Sequence, residues 1–395
     1  MFSVRTNWKL DPNRFTRAVE SRRANGKPVL DLTASNPTEC GLVYPEREIL
    51  DALADRRALK YAPESKGMRA AREAVCRYYA GRHAHGGARG AIDPENVILT
   101  AGTSEAYSYI FRLLCEKDDE ILVPAPSYPL FQLLADLNDI RLVPYPLLYD
   151  HGWQMDFAAL RAALTPRTRA VLLVHPNNPT GSFVQPHEVA ALGELCAGRE
   201  MAIVADEVFL DFADATAEPQ PTFALHEACL TFTLSGLSKI SALPQMKLAW
   251  LVVSGPDALA QAALARLDMV ADTYLSPGTP IQIATGTLLG ARTNLQTQLK
   301  MRITANLGAL DALLAVQAHA MRLEREGGWY AILRVPATRP DEDLAIAILE
   351  KCGVLVHPGR FFDFSQDGFL VLSLIAREED FAEGARRILE FVNLQ

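Results

Sequence analysis

From about residue 47 the chain alternates short runs of apolar, β-favouring residues with longer stretches of helical composition, and this rhythm constrains the fold more than any other feature. The runs lie at 97–100, 120–123, 141–145, 170–174, 202–205, 230–234 and 248–253. Several are apolar at successive positions rather than at every second one, as strands covered on both faces must be. Strands that alternate with helices build a largely parallel sheet with helices on its faces. The expected fold is therefore α/β, with a mostly parallel, seven-stranded sheet in a large domain at 47–285. Beyond it the texture changes. A long helical segment at 281–320 precedes short strands near 329–335 and 369–374 and helices at 341–351 and 379–392, which predicts a smaller α+β domain at 286–395. Residues 1–46, with an Arg-rich helix at 10–25 and the apolar Val29-Leu30-Asp31-Leu32, read as an N-terminal arm belonging to the small domain.

With 395 residues, 49% hydrophobic and 22% charged, the chain can bury a sizeable core, and collagenous, low-complexity and wholly disordered classes are excluded. Acidic groups outnumber Lys plus Arg by 47 to 39, so a net charge of -8 argues against nucleic acid and anionic membranes as partners. No apolar stretch approaches the roughly 18 residues that span a bilayer, and the start MFSVRTNWKLDPNRF lacks the apolar core of a signal peptide. Six scattered cysteines, without a CxxC pair or histidines at zinc-ligand spacing, read as reduced thiols. These features together place the protein in the cytoplasm. His83 and His85, in the glycine-rich stretch 81–90, read as part of a solvated loop, and no metal site is expected.

Three common catalytic signatures are missing: a GxGxxG opening a helix after the first strand, a GxxxxGK[ST] loop and a GxSxG elbow. What remains is a series of polar segments at the ends of the expected strands, where open α/β sheets bind their ligands. Thr100-Ala101-Gly102-Thr103-Ser104-Glu105 precedes a helix, and its small residues leave backbone N–H groups free for an anion, or form a plain helix cap. In Pro126-Ser127-Tyr128-Pro129 the tyrosine is held between prolines, either to offer its face to a flat ligand or to pack in a turn. The loop His175-Pro176-Asn177-Asn178-Pro179-Thr180-Gly181 carries amides able to donate to a phenolate oxygen. Asp206-Glu207 ends an apolar strand, an expensive position for two acids unless a cation or ring N–H meets one of them. In Ser235-Gly236-Leu237-Ser238-Lys239 the lysine is either a surface charge or an amine placed to form a Schiff base.

In this order, each at a strand's end, the segments resemble the pyridoxal-phosphate enzymes of fold type I, and in particular the class I and II aminotransferase family. The resemblance covers nearly the whole chain, from Asn36-Pro37 through Tyr61, Gly102, Tyr128, Asn178, Asp206 and Ser238-Lys239 to Pro358-Gly359. It implies an aspartate-aminotransferase-like large domain and pyridoxal 5'-phosphate as cofactor. Lys239 would carry the cofactor as a Schiff base and move the substrate's proton. Asp206 would face the pyridine nitrogen, Asn178 would donate to the ring oxygen, and Tyr128 would stack on the ring. The phosphate would sit at Gly102-Thr103-Ser104, with Ser238 and Lys247 adding donors. Tyr61 would reach the phosphate of a neighbouring subunit, which implies a homodimer with shared sites. The partners would be a small-molecule amino donor and a keto acceptor, with Asn36 on the substrate side.

Three departures from that family stand out. Lys247 occupies a position usually held by arginine, and Phe209 one usually held by tyrosine. Val371, in Phe369-Leu370-Val371-Leu372-Ser373-Leu374, stands where the family has the arginine that grips the substrate carboxylate; Arg360 and Arg377 are the conceivable substitutes, Arg360 first. Two other functions fit the same resemblance: a lyase or decarboxylase working through the same carbanion, and a non-catalytic ligand-sensing domain. The second is disfavoured because only about 45 residues precede the expected large domain, fewer than the roughly 50 of a small independent domain.

Overall fold

A computed structural model describes residues 1–83, 90–214 and 220–394. His85 lies outside the described residues, whereas the backbone oxygen of His83 accepts the Thr222 N–H at 2.9 Å. The arm opens with the helix Arg14–Ala24, capped by the Asn13 side chain, and continues into strand β1 (Leu30–Asp31). The large domain contributes β2 (Val97–Thr100), β3 (Glu120–Ala125), β4 (Arg141–Tyr149), β5 (Trp153–Met155), β6 (Thr168–Val174), β7 (Ala202–Asp206), β8 (Thr231–Gly236) and β9 (Ala249–Ser254). They form one sheet in the order β2-β9-β8-β7-β6-β3-β4-β5, in which β4, β3, β6, β7 and β8 run parallel and β9 and β5 run against their neighbours.

All seven expected runs are strands of this sheet. The eighth, β5, is only three residues long; Trp153 and Met155 are buried and Gln154 is exposed, an alternation too short to register as a pattern. In the middle of the sheet both faces are covered. Ile98, Leu172, Val204, Phe232 and Leu251 pack beneath the helices Thr103–Leu114 and Asp257–Tyr274. On the opposite face Val171, Leu173 and Ile203 meet the helix Pro186–Gly198. This double coverage explains why the runs are apolar at consecutive positions.

The small domain holds β10 (Met321–Arg322), β11 (Tyr330–Arg334), β12 (Val354–Leu355), β13 (His357–Pro358) and β14 (Phe369–Ser373). An antiparallel sheet β10-β11-β14-β13 packs on the helices Asp341–Cys352 and Glu378–Asn393, and β1 pairs in parallel with β12, so the arm is built into this domain. The expected boundary at 285/286 falls inside an unbroken helix, Thr279–Leu314. Its buried residues change core along its length: Ile281, Ala284, Leu288 and Leu289 belong to the large domain, and Leu295, Leu299, Ile303 and Leu310 to the small one. The changeover thus lies between Leu289 and Leu295.

Candidate active site

The loops that follow β2, β3, β6, β7 and β8 leave the sheet at one edge, because these strands point the same way. After β8 the backbone passes so close to β9 that a Cβ on Gly236 would lie 2.8 Å from that of Ala249. The helix Leu237–Ile240 follows and turns Lys239 toward the small domain. The Lys239 Nζ donates to the Ser35 backbone oxygen at 3.3 Å, and it lies 4.8 Å from the ring centroid of Trp329 and 5.8 Å from that of Phe209. Burial pulls its amine down to about 8, against the opposing pull of Asp206. A lysine in this state supplies the neutral amine that attacks a carbonyl.

Asp206 ends β7 and is buried. Its Oδ1 accepts the Val208 N–H at 3.0 Å and its Oδ2 accepts the Tyr107 hydroxyl at 2.8 Å. Burial raises its carboxyl to about 6, while those two donors and Lys239 hold it down. Glu207 answers the question raised by two consecutive acids: it turns to the other side, where it accepts Thr222 Oγ1 at 2.7 Å and the Phe223 N–H at 2.6 Å. Only Asp206 faces the lysine.

Beyond β6, Asn177 is structural: its Nδ2 donates to the Pro126 oxygen at 3.0 Å and to Thr180 Oγ1 at 2.9 Å, joining this loop to the tyrosine loop. Peptides preceding Pro126, Pro176 and Pro179 are cis. The Asn178 amide oxygen is buried without a hydrogen-bond partner among the described residues. Turned about its last bond, that amide presents its N–H groups instead. Tyr128 is 43% exposed, with its ring edge-on to Phe131 at 6.0 Å, and burial together with the Asp206 charge raises its phenol.

At the start of helix Thr103–Leu114 no side chain caps the first turn, because the N-cap is Gly102; the Glu105 carboxylate instead accepts the Ala101 N–H at 2.6 Å. A Cβ on Gly102 would lie 3.7 Å from Lys247 Nζ, so the lysine hangs over an uncapped helix start. Free backbone N–H groups and one cation thus meet beside Thr103 and Ser104, an arrangement suited to an anion. Ser238, half-buried, neighbours Lys239 on the same short helix.

Of the other expected site residues, Asn36 lies in the segment whose Ser35 oxygen holds Lys239; its Oδ1 accepts Thr38 N at 3.1 Å and Thr38 Oγ1 at 2.7 Å. Tyr61 is exposed. Arg360 is exposed, with Asp341 and Asp363 the carboxylates in its field, and Arg377 lies against Gly41. Val371 is wholly buried, paired with Ile332 and His357 across the small sheet. Three aromatic residues that no motif indicated complete the site: Tyr107 on Asp206, Trp329 beneath Lys239, and Tyr330, whose buried phenol lies in the field of Tyr128 and Cys40. Tyr107 was legible in principle, since it lies one helical turn beyond Thr103.

A half-buried amine shifted toward neutrality, a buried carboxylate facing it, an unpartnered amide, a half-exposed tyrosine ring and an uncapped helix start fit pyridoxal phosphate group by group: aldehyde, ring nitrogen, ring oxygen, ring face and phosphate. The comparisons with known proteins agree. Residues 27–388 match the family Aminotransferase class I and II. The chain is 31% identical over 265 residues to the glutamate-pyruvate aminotransferase AlaA of Escherichia coli strain K12, a match covering 67% of this chain and 64% of that enzyme, which is under two thirds of its length. It is 27% identical over 387 residues to the alanine aminotransferase of Mycobacterium bovis, covering 93% of this chain and 86% of the relative. A crystal structure of an aminotransferase from Escherichia coli superposes with a TM-score of 0.86 at 25% identity, covering 100% of this chain and 98% of the other. The chain therefore belongs to the class I and II aminotransferases, a family of pyridoxal-phosphate-dependent transferases.

Proposed function

We propose that the protein is an aminotransferase that moves an amino group from a small-molecule donor to a keto acceptor. The observation that carries this reading is the Lys239 amine, drawn down to about 8 and set in the field of the buried Asp206 carboxylate. When bound, pyridoxal phosphate supplies an electron sink for the carbanion formed at the substrate carbon. This chain's residues do the rest. Lys239 would hold the cofactor through its amine, and the same Nζ would take up and return the substrate's proton. Asp206 would hold the ring N–H, Asn178 would donate to the ring oxygen, and Tyr128 would cover the ring. Gly102, Thr103 and Ser104 would bind the phosphate through the helix start, with Ser238 and Lys247 adding donors. Asn36 lines the substrate side.

A homodimer is part of the reading, with Tyr61 reaching the phosphate of the neighbouring subunit. Its support is the exposure of Tyr61, 75%, at a position the chain itself does not use. A cytoplasmic location is supported by six unpaired cysteines. Among the described residues no helix is long and apolar enough to cross a membrane.

Borohydride reduction of the reconstituted protein followed by peptide mass mapping tests the assignment. A reduced pyridoxyl adduct on Lys239 is expected; an adduct on another lysine, or none, overturns it. Transamination then shows as keto product formed in step with the aminated acceptor, without free ammonia. Ammonia release would assign the site to lyase chemistry instead.

A further inference from the structure

Asp206 has a partner whose chemistry goes beyond holding it in place. Both Tyr107 and Asp206 are buried, at 2% and 6% exposure, and the hydroxyl–carboxylate bond between them is 2.8 Å. The Tyr107 ring is edge-on to Phe131 at 5.3 Å and tilted against Phe111 at 5.9 Å, so packing on two sides keeps its hydroxyl aimed at Asp206. The other titratable groups that feel Asp206 are Lys239, Tyr128 and Glu207. Lys239 spends a donor on Ser35, and Glu207 is turned to Thr222 and Phe223. Tyr107 is thus the side-chain hydroxyl that bonds Asp206 directly.

Resting on the pyridoxal-phosphate reading above, we propose that Tyr107 is a positioning residue that keeps the Asp206 carboxylate the weaker base, so that the proton it shares with the bound ring nitrogen resides on the nitrogen. One proton and two arrangements are at issue: N–H against a carboxylate, or a bare nitrogen against a carboxylic acid. Burial favours the second, because it leaves no charges in a dry site. A hydroxyl donated to the carboxylate stabilises its anion, and in a low-dielectric surrounding that bond is strong. With Tyr107 in place the first arrangement prevails, and only that arrangement makes the ring an effective electron sink.

The test uses full-length protein reconstituted with pyridoxal phosphate labelled with 15N at the ring nitrogen, whose chemical shift reports protonation without any turnover. Tyr107→Phe keeps the ring packing and removes the hydroxyl. Its nitrogen resonance should move toward the unprotonated position at neutral pH, and cofactor affinity should fall about tenfold, the size of one hydrogen bond to a charged group. A 3-fluorotyrosine installed at 107, a stronger donor in a nearly identical shape, should hold the nitrogen protonated to higher pH than the parent. A nitrogen resonance unchanged in both variants reduces Tyr107 to packing and overturns the inference. If the borohydride adduct on Lys239 forms while the resonance stays put, only the role of Tyr107 falls; if the adduct does not form, the reading of the whole site falls with it.

Discussion

Glu207 shows how much a single burial can cost in this site. Its carboxyl is raised to about 7 from 4.5 because desolvation outweighs the help of Phe223, Thr222 and Arg82. In the unfolded chain the proton leaves first, so the stability tied to this group is complete below about pH 4.5 and is lost as the pH climbs to about 7. Glu207→Gln cannot ionise. Measured by urea unfolding, its stability relative to the parent should therefore rise by on the order of 3 kcal/mol between pH 4.5 and pH 8. A constant difference would mean that Glu207 is solvated after all. At the same scale, Val371 lies sealed in a cluster with Tyr330, Ile332 and Phe362 and offers an incoming carboxylate no charge. Two of the less exposed arginines are already committed elsewhere, Arg302 to Glu378 and the Cys40 oxygen and Arg325 to Asp214 and the Gly328 oxygen. Simple α-amino acids should bind the loaded protein at least tenfold more weakly than amines of matched shape without the carboxylate, a difference worth one charged hydrogen bond. Titrating the cofactor absorption with paired panels checks this, and equal affinities would place a cation near Val371 that the packing does not show.

At the scale of elements, the asparagine loop is welded to the small domain by two glycines. A Cβ on Gly181, whose φ is +70°, would lie 2.4 Å from the Gly327 oxygen, and one on Gly327 would lie 2.6 Å from the Phe212 oxygen. Gly181→Ala has to adopt a left-handed backbone and push a carbonyl aside, so it should lift the loop and carry Asn178 with it. Thermal unfolding should show a loss of at least about 1 kcal/mol, and cofactor affinity should drop further than that loss alone explains. This weld was not legible in the sequence, since the two glycines are 146 residues apart and each reads as ordinary turn punctuation. The strands were legible because burial on both faces writes a continuous apolar run, and the site segments because each sits where such a run stops. Trp329 and Tyr330 were hidden for the opposite reason. They arrive from a separate domain, and nothing local marks an aromatic residue as facing a lysine 90 positions earlier.

The whole molecule raises the question of subunits. If Tyr61 serves the neighbouring site, inactive Lys239→Ala and Tyr61→Phe proteins should complement each other. After mixing and re-equilibration, half of the dimers are hybrids with one site that has both residues, so activity should recover to about a quarter of the parental value. Recovery that never exceeds the sum of the separate variants would confine each site to one chain. At this scale the sequence was a fair guide to content and a poor one to boundaries. Helix and strand textures anticipated the elements themselves, but composition does not mark where one helix leaves one core for the next.

That helix, Thr279–Leu314, spans 36 residues and about 54 Å, and it feeds both cores from one continuous backbone. Each residue advances it by about 100°, so the number of residues between Leu289 and Leu295 is in effect an angular setting. One residue inserted there would leave every side chain chemically intact and yet rotate Leu295, Leu299, Ile303 and Leu310 by more than a quarter turn, swinging the small domain out of register with the sheet edge that carries Lys239. Like a keyed axle, the helix fixes the phase at which the two halves of the site face each other.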